Sequence, residues 1–257
     1  MVTTATVLQT SIRLVGQAAH GAEDRQLRVE GFDQARYSAS HVLCIGAGGL
    51  ISHIAPTLAR KGIGALTLLD DDEVEVSNLN RQRFYPEDVG TNKALALAAN
   101  LQRECIHATR LAGYAWRLEE AIDRGIDLRC DVAVCGVDNN PTRVLASRQF
   151  RDLGIPLIFT AVSEDADHGY VFVQEPEGAC FGCLFPDAAE SSAYPCPGTP
   201  AIADILQIVG GLVVYAIDSC LMARPRGWTY RALGMSAGSQ DACQRVPIRQ
   251  GCQLCGQ

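Results

Sequence analysis

Two cysteine pairs, in CFGC (Cys180 and Cys183) and CQLC (Cys252 and Cys255), carry the plainest chemistry in this 257-residue chain. A C-x-x-C turn sets two thiolates on one side of the backbone, and two such turns together complete a closed tetrahedral zinc site. The pairs lie far apart in sequence, so a shared metal would tie the C-terminus to a distant loop. Such a structural site contributes on the order of 10 kcal/mol to the segment it closes. The rival reading is a redox dithiol pair. A fifth cysteine, Cys196 in SSAYPCPGTPAIADI, sits between Pro195 and Pro197 just ahead of a long apolar segment. A thiolate there is favoured by the positive end of the following helix and would serve as a nucleophile. The bland alternative is a loop cysteine of no consequence. Cys44, Cys105, Cys130, Cys135, Cys220 and Cys243 fall mostly in apolar patterns and read as small core residues.

A second constellation begins at residues 42 to 52, VLCIGAGGLIS. Gly46, Gly48 and Gly49 allow a tight strand-to-helix turn whose amides can face a phosphate, and Asp70 at the next strand end can accept ribose hydroxyls. Ile51 stands where a nicotinamide-binding fingerprint has its third glycine. The sequel is unlike such a fingerprint. DDDEVEVSNLNRQRF, VGTNK and CGVDNNPTR place Asp72, Asn78, Arg81, Gln82, Lys93, Asp138 and Arg143 at or after strand ends, the edge of an open parallel sheet where ligands bind. Several cations beside carboxylates suit a site that handles multiple phosphate charges.

The elements that must position these residues follow from periodicity. HVLCIG, ALTLLD, DVAVCGVD and IPLIFTAV read as buried strands, and residues 49–61, 92–104 and 141–152 as the helices between them. Alternating strands and helices predict an α/β, Rossmann-like, mostly parallel sheet flanked by helices. Beyond about residue 165 the chain carries GYVFVQ, a Cys-, Pro- and Gly-rich loop at 176–200, a long apolar helix at 201–223, and the short strand candidates GWTYRAL and QRVPIRQ. These extend the sheet with antiparallel strands. Residues 1–40 read as a helical N-terminal extension, and 41–257 as one catalytic domain whose zinc-bearing part starts near 165.

Composition sets the outer bounds. The chain is 47% hydrophobic and 20% charged, ordinary for a soluble globular protein. A net charge of -7 without any Lys/Arg run disfavours nucleic acid and anionic membranes as partners. The first twenty residues lack the pattern of a signal peptide, which predicts a cytoplasmic protein. The 201–223 segment is interrupted by Asp204, Gln207 and Asp218 and reads as a buried helix rather than a membrane span. His20, His41, His53, His107 and His168 show no pairing at metal-ligand spacing, so each is expected to be a satisfied or exposed histidine.

Taken in order, GxGG, D-x-D, S-N-L-x-R-Q, G-x-x-K and D-N-x-x-x-R resemble the ubiquitin-activating-enzyme-like adenylyltransferases of the MoeB, ThiF and HesA type, over roughly residues 20 to 257. The resemblance implies ATP rather than a nicotinamide, which agrees with the need for cations and an Mg²⁺-binding carboxylate around a triphosphate. It implies that Asp70 binds the ribose, that Asp72 belongs to the same nucleotide site, and that Arg81 and Lys93 contact phosphates. It also implies that Asp138 holds Mg²⁺, that Asn78 and Gln82 orient the nucleotide, and that Arg25 reaches into a neighbouring subunit, hence a homodimer. Family members carry the Cys₄ zinc, and many use a cysteine at the position of Cys196 to take the activated acyl group.

The expected activity is adenylation of the C-terminal carboxylate of a small ubiquitin-like or sulfur-carrier protein ending in Gly-Gly, followed by a thioester on Cys196. That outcome leans toward a bacterial ubiquitin-like conjugation pathway with a separate conjugating enzyme. The alternatives are thiocarboxylate formation with an external sulfur donor in cofactor biosynthesis, and adenylation of a small carboxylate. A silent subunit that only binds a ubiquitin-like partner would be expected to have lost Arg81, Lys93 or Asp138, and all three are present. A nicotinamide dehydrogenase would leave Arg81, Lys93 and the cysteine pairs unexplained.

Overall fold

The computed structural model describes residues 4–9, 21–189, 201–236 and 241–256. In chain order the elements are β1 (Ala5–Gln9), α1 (Gln34–Ala39), β2 (His41–Ile45), α2 (Gly49–Lys61), β3 (Ala65–Leu69), α3 (Lys93–Glu104), β4 (Arg110–Tyr114) and α4 (Leu118–Asp123). They continue with β5 (Val132–Cys135), α5 (Asn140–Asp152), β6 (Leu157–Val162), β7 (His168–Gln174), α6 (Phe181–Leu184), α7 (Ala203–Leu221), β8 (Tyr230–Gly234) and β9 (Ala242–Gln244). The strands form a single sheet in the order β1-β4-β3-β2-β5-β6-β7-β8-β9.

The central run β4-β3-β2-β5-β6 is parallel. Its strands are apolar throughout because both faces are covered, and β3 and β5 are buried at every residue. Successive side chains of β2 enter opposite cores. Val42 and Cys44 pack with α2, α3 and α7, whereas Leu43 and Ile45 pack with α4, α5 and α6. The architecture is therefore three-layered. α7 is long and apolar enough to span a membrane by length and composition alone. In the fold it lies across α2, β6 and β7, as the interrupting polar residues predict.

The expected parallel core with an antiparallel extension is observed, and β1 adds an antiparallel strand at the opposite edge, so the sheet as a whole is mixed. β1 pairs antiparallel with β4, and β6, β7, β8 and β9 follow one another antiparallel. The N-terminal extension is not helical at residues 5–9: ATVLQ forms β1, with Ala5 opposite Tyr114 and Gln9 opposite Arg110. This strand is covered on one side only, with Val7 exposed and Leu8 packed on the core, so it lacks a buried strand's apolar run. RLAGY, unassigned from sequence, forms β4. Its Gly113 is required because an added Cβ would lie 2.6 Å from the Ala94 carbonyl oxygen of α3. QRVPIRQ also departs from expectation: β9 ends at Gln244, and Pro247, with no N–H for a ladder, falls in the irregular stretch leading to the second cysteine pair.

Candidate active site

The glycine loop follows β2 at the C-terminal edge of the parallel strands. Ile45 stands opposite both Leu69 and Cys135, so Gly46, Asp70 and Gly136 emerge side by side. Backbone bonds from Gly46 N–H to the Leu69 carbonyl (2.7 Å) and from Gly136 N–H to the Ile45 carbonyl (2.9 Å) carry the ladder one residue further. Gly46 has φ +95°, a left-handed conformation that costs a side-chain-bearing residue about 1–2 kcal/mol. Gly48 caps α2 in open space, with nothing within 4 Å of where its Cβ would be. The first amides of α2 thus face an unobstructed surface suited to an anion.

Ile51 does not spoil this loop, because the close approach usually provided by a third glycine is supplied from the other side. Ile51 is fully buried, and a Cβ on Gly136 would lie 2.8 Å from its Cγ1. The space left by Gly136 just past the end of β5 receives the isoleucine on α2.

Asp70 joins the loop to the charged segment. Its carboxylate accepts the Ala47 N–H (2.6 Å) from the glycine turn and the Asp72 N–H (2.8 Å) from its own strand end. Burial lifts its pKa to about 6, against the opposing pull of Lys93 and of the two amides. Asn92, absent from the expected site residues, organises what surrounds it. Its Nδ2 donates to the carbonyls of Asp70 (2.8 Å) and Asp72 (3.0 Å), while its Oδ1 caps α3 by accepting the Leu95 N–H. That cap delivers Lys93, whose Nζ reaches Asp72 at 2.8 Å; the lysine side chain is 12% exposed and the aspartate 64%. A polar residue at a helix start was the available signal for Asn92.

The segment between Asp72 and Lys93 holds the other cation. Asn78 is buried, and its Oδ1 accepts the Glu75 N–H (3.0 Å), so this side chain shapes the turn. Its carbonyl accepts the amides of Arg81 and Gln82. The Arg81 Nη1 rests on the Ser77 carbonyl (2.6 Å) and the Asn80 Oδ1 (3.0 Å), and the Gln82 Oε1 is buried without a hydrogen-bond partner among the described residues. Two further residues hold this segment to α2: Ser52 Oγ accepts the Arg83 N–H, and His53 Nε2 donates to the Arg81 carbonyl at 2.8 Å. Nothing in sequence spacing marked either one.

Asp138 lies beyond β5 on the same edge with an exposed carboxylate. Asn139 next to it caps α5 by accepting the Thr142 N–H, and Arg143 turns back to the Val137 carbonyl (3.1 Å). Beside them is a cavity of about 450 Å³ lined by Asn140, Arg143, Tyr170, Phe181, Phe185 and Asp187. Arg25 lies on the surface, 86% exposed, with Asp24 3.9 Å away. Cys196 lies outside the described residues.

The four knuckle cysteines converge at α6, which Cys180 caps and which contains Cys183. Sγ separations are 3.5 Å for Cys180–Cys252, 3.7 Å for Cys180–Cys183 and 3.7 Å for Cys183–Cys255, and all four lie within 4.8 Å of one another. Zinc–sulfur bonds of about 2.3 Å in a tetrahedron place sulfurs about 3.8 Å apart, whereas a disulfide needs about 2.05 Å. The donor set therefore fits a zinc ion. Burial raises the Cys180 pKa, while at Cys252 burial is outweighed by the amides of Cys255 and Leu254 together with the Cys180 and Cys255 thiols, and the pKa is lowered. The Arg249 N–H donates to Cys183 Sγ at 3.3 Å, and an added Cβ on Gly182 would meet Leu254 Cβ at 2.9 Å, so the two knuckles are tightly apposed.

Comparison with known proteins agrees with this geometry. The chain is 36% identical over 228 residues to the SAMP-activating enzyme E1 of Haloferax volcanii, covering 87% of this chain and 83% of that protein. It is 34% identical over 188 residues to the sulfur carrier protein adenylyltransferase of Thermus thermophilus, covering 71% and 69%. In fold it is similar to E. coli MccB crystallised with ATP, with a TM-score of 0.69 at 20% identity, covering 87% of this chain and 68% of that one. The ThiF family model matches residues 23–255, nearly the whole length, and the chain belongs to the ThiF family.

Proposed function

We propose that this enzyme uses ATP to adenylate the C-terminal glycine carboxylate of a small ubiquitin-like or sulfur-carrier protein. The observation that carries the reading is the Asp70 bridge. One carboxylate joins the glycine-loop amide to the strand end from which Asn92 and Lys93 are hung, with the Arg81 segment tied to α2, the helix that follows the glycine loop. This edge offers amides and two cations to a triphosphate and a carboxylate acceptor to a ribose. A carboxylate oxygen of the carrier attacks the α-phosphorus, the bond to the β-phosphate oxygen breaks, and pyrophosphate leaves as the acyl-adenylate forms. Arg81 and Lys93 stabilise the charge moving onto the leaving pyrophosphate. Asp138 is the residue to hold Mg²⁺, which when bound neutralises phosphate charge. The cavity lined by Asn140 and Arg143 of α5, the helix that follows Asp138, suits the carrier tail, since a Gly-Gly end threads where bulkier residues do not.

Cys196 is then the acceptor: its thiolate attacks the acyl carbon and expels AMP to leave a thioester. The name of the sulfur carrier protein adenylyltransferase supports a second outcome, in which hydrosulfide from an external donor attacks the acyl carbon and expels AMP, leaving the carrier with a C-terminal thiocarboxylate. Zinc on Cys180, Cys183, Cys252 and Cys255 has a structural role, and the working unit is a homodimer in which Arg25 completes the partner's nucleotide site. ATP–pyrophosphate exchange with Gly-Gly-ending carrier proteins tests the reading. Carrier-dependent exchange with a thiol-sensitive adduct on a non-reducing gel is expected. Exchange without the adduct would select the sulfur-transfer outcome, and no exchange with any carrier would overturn the proposal.

A further inference from the structure

We propose that His53 is a positioning residue for the phosphate site, fixing the Arg81 backbone to the helix that follows the glycine loop. This inference rests on the adenylation reading for its consequence in catalysis, while its geometry stands independently. His53 lies in the second turn of α2, four residues after the first helical amide, and its ring is nearly buried. Both ring nitrogens are engaged with one short stretch of chain. Nε2 faces the Arg81 carbonyl at 2.8 Å, and Nδ1 faces the Arg83 Nε at 3.3 Å. A carbonyl only accepts and a guanidinium only donates, so the ring is the neutral tautomer with its proton on Nε2. The neighbouring Ser52 hydroxyl donates to the Gly49 carbonyl and accepts the Arg83 N–H, so two consecutive helix residues bracket residues 81–83.

The consequence is mechanical. Arg81 N–H is held by the Asn78 carbonyl and Arg81 C=O by His53, so both ends of this residue are fixed. The amides of the α2 N-terminus and the arginine that faces the same phosphates are thereby coupled through one imidazole. Gly210 of α7 closes the far side of His53, where an added Cβ would be in ordinary contact with the His53 Cβ at 3.6 Å. Burial, together with the charge of Arg83, favours the uncharged ring against the pull of the Arg81 carbonyl.

Two measurements test this. In ¹⁵N-histidine-labelled wild-type protein, long-range ¹H–¹⁵N correlation should show His53, identified by its loss in His53→Gln, as the neutral Nε2–H tautomer at pH 7.5; an Nδ1–H tautomer or an imidazolium would overturn the geometry. In pyrophosphate exchange, His53→Leu should lower kcat roughly tenfold, as the loss of one or two buried hydrogen bonds predicts, with KM for the carrier unchanged. His53→Gln, which retains a donor for the Arg81 carbonyl, should recover most of that loss. In an Arg81→Ala background His53→Leu should cost nothing more. An equal loss in both backgrounds, or a His53→Gln protein as impaired as His53→Leu, would show that His53 acts on the fold and not through Arg81. A wild-type protein that performs no exchange would refute the adenylation reading, and the tautomer would still decide the tie.

Discussion

Asp70 is asked to be buried, to accept two backbone amides and to stand near a lysine, and these demands pull its proton affinity in opposite directions. Burial wins and its pKa stands at about 6, so the folded protein holds this proton more tightly than the unfolded chain does. The sign follows: the resulting stabilisation is complete below about pH 4 and is lost as pH rises through about 6. Carboxyl-detected ¹³C titration should find Asp70 midway near pH 6, and Lys93→Met should move that midpoint higher by removing the charge that opposes burial. A midpoint near 4 in the wild type would contradict the burial. Gly136 gives a second expectation. Gly136→Ala should destabilise by about 1–3 kcal/mol through overpacking against Ile51, and Ile51→Ala in the same chain should restore part of it, as read by urea denaturation. At this scale the gathering of Gly46, Asp70 and Lys93 at one sheet edge was legible because glycines and charges at successive strand ends meet there in a parallel sheet. His53 and Asn92 were not, since their roles depend on which backbone carbonyls the fold brings within reach.

At the scale of elements, α2, α3 and α5 were legible almost to the residue, because each starts at a Gly or Asn cap and carries an apolar stripe. β1 and β4 were missed because one is half-exposed and the other is broken by Gly113, whose value appears only when α3 is packed against it. The cysteine knuckles were found from spacing alone, although the short helix α6 that carries the first pair was not. If they hold zinc, metal analysis should give one ion per chain, and Cys183→Ser should release it and lower the thermal midpoint while leaving residual exchange activity in the fraction that stays folded. A Cys183→Ser protein with full zinc content and an unchanged midpoint would rule the site out. The expectation is sharpened by the Arg249 N–H, which donates to the Cys183 sulfur.

For the whole molecule, the proposed role of Arg25 poses a question, since this side chain is exposed and its ion-pair contact among the described residues is with its neighbour Asp24. The proposed homodimer would answer it, and α7 presents Ile208 and Tyr215 to solvent as one face. The test is complementation. Arg25→Ala and Asp138→Ala proteins should each be inactive alone, whereas co-refolded mixtures should recover roughly a quarter of wild-type activity, since half the dimers formed at random contain one intact composite site. No recovery in verified heterodimers would place Arg25 outside the partner's site. The knuckles have a different consequence at this scale. With a metal clasping Cys180 and Cys183 to Cys252 and Cys255, the stretch between them, including α7 and Cys196, becomes a closed ring on an otherwise linear polymer. A protease that severs the chain within that ring would leave two pieces still fastened together, inseparable by dilution until a chelator opens the clasp.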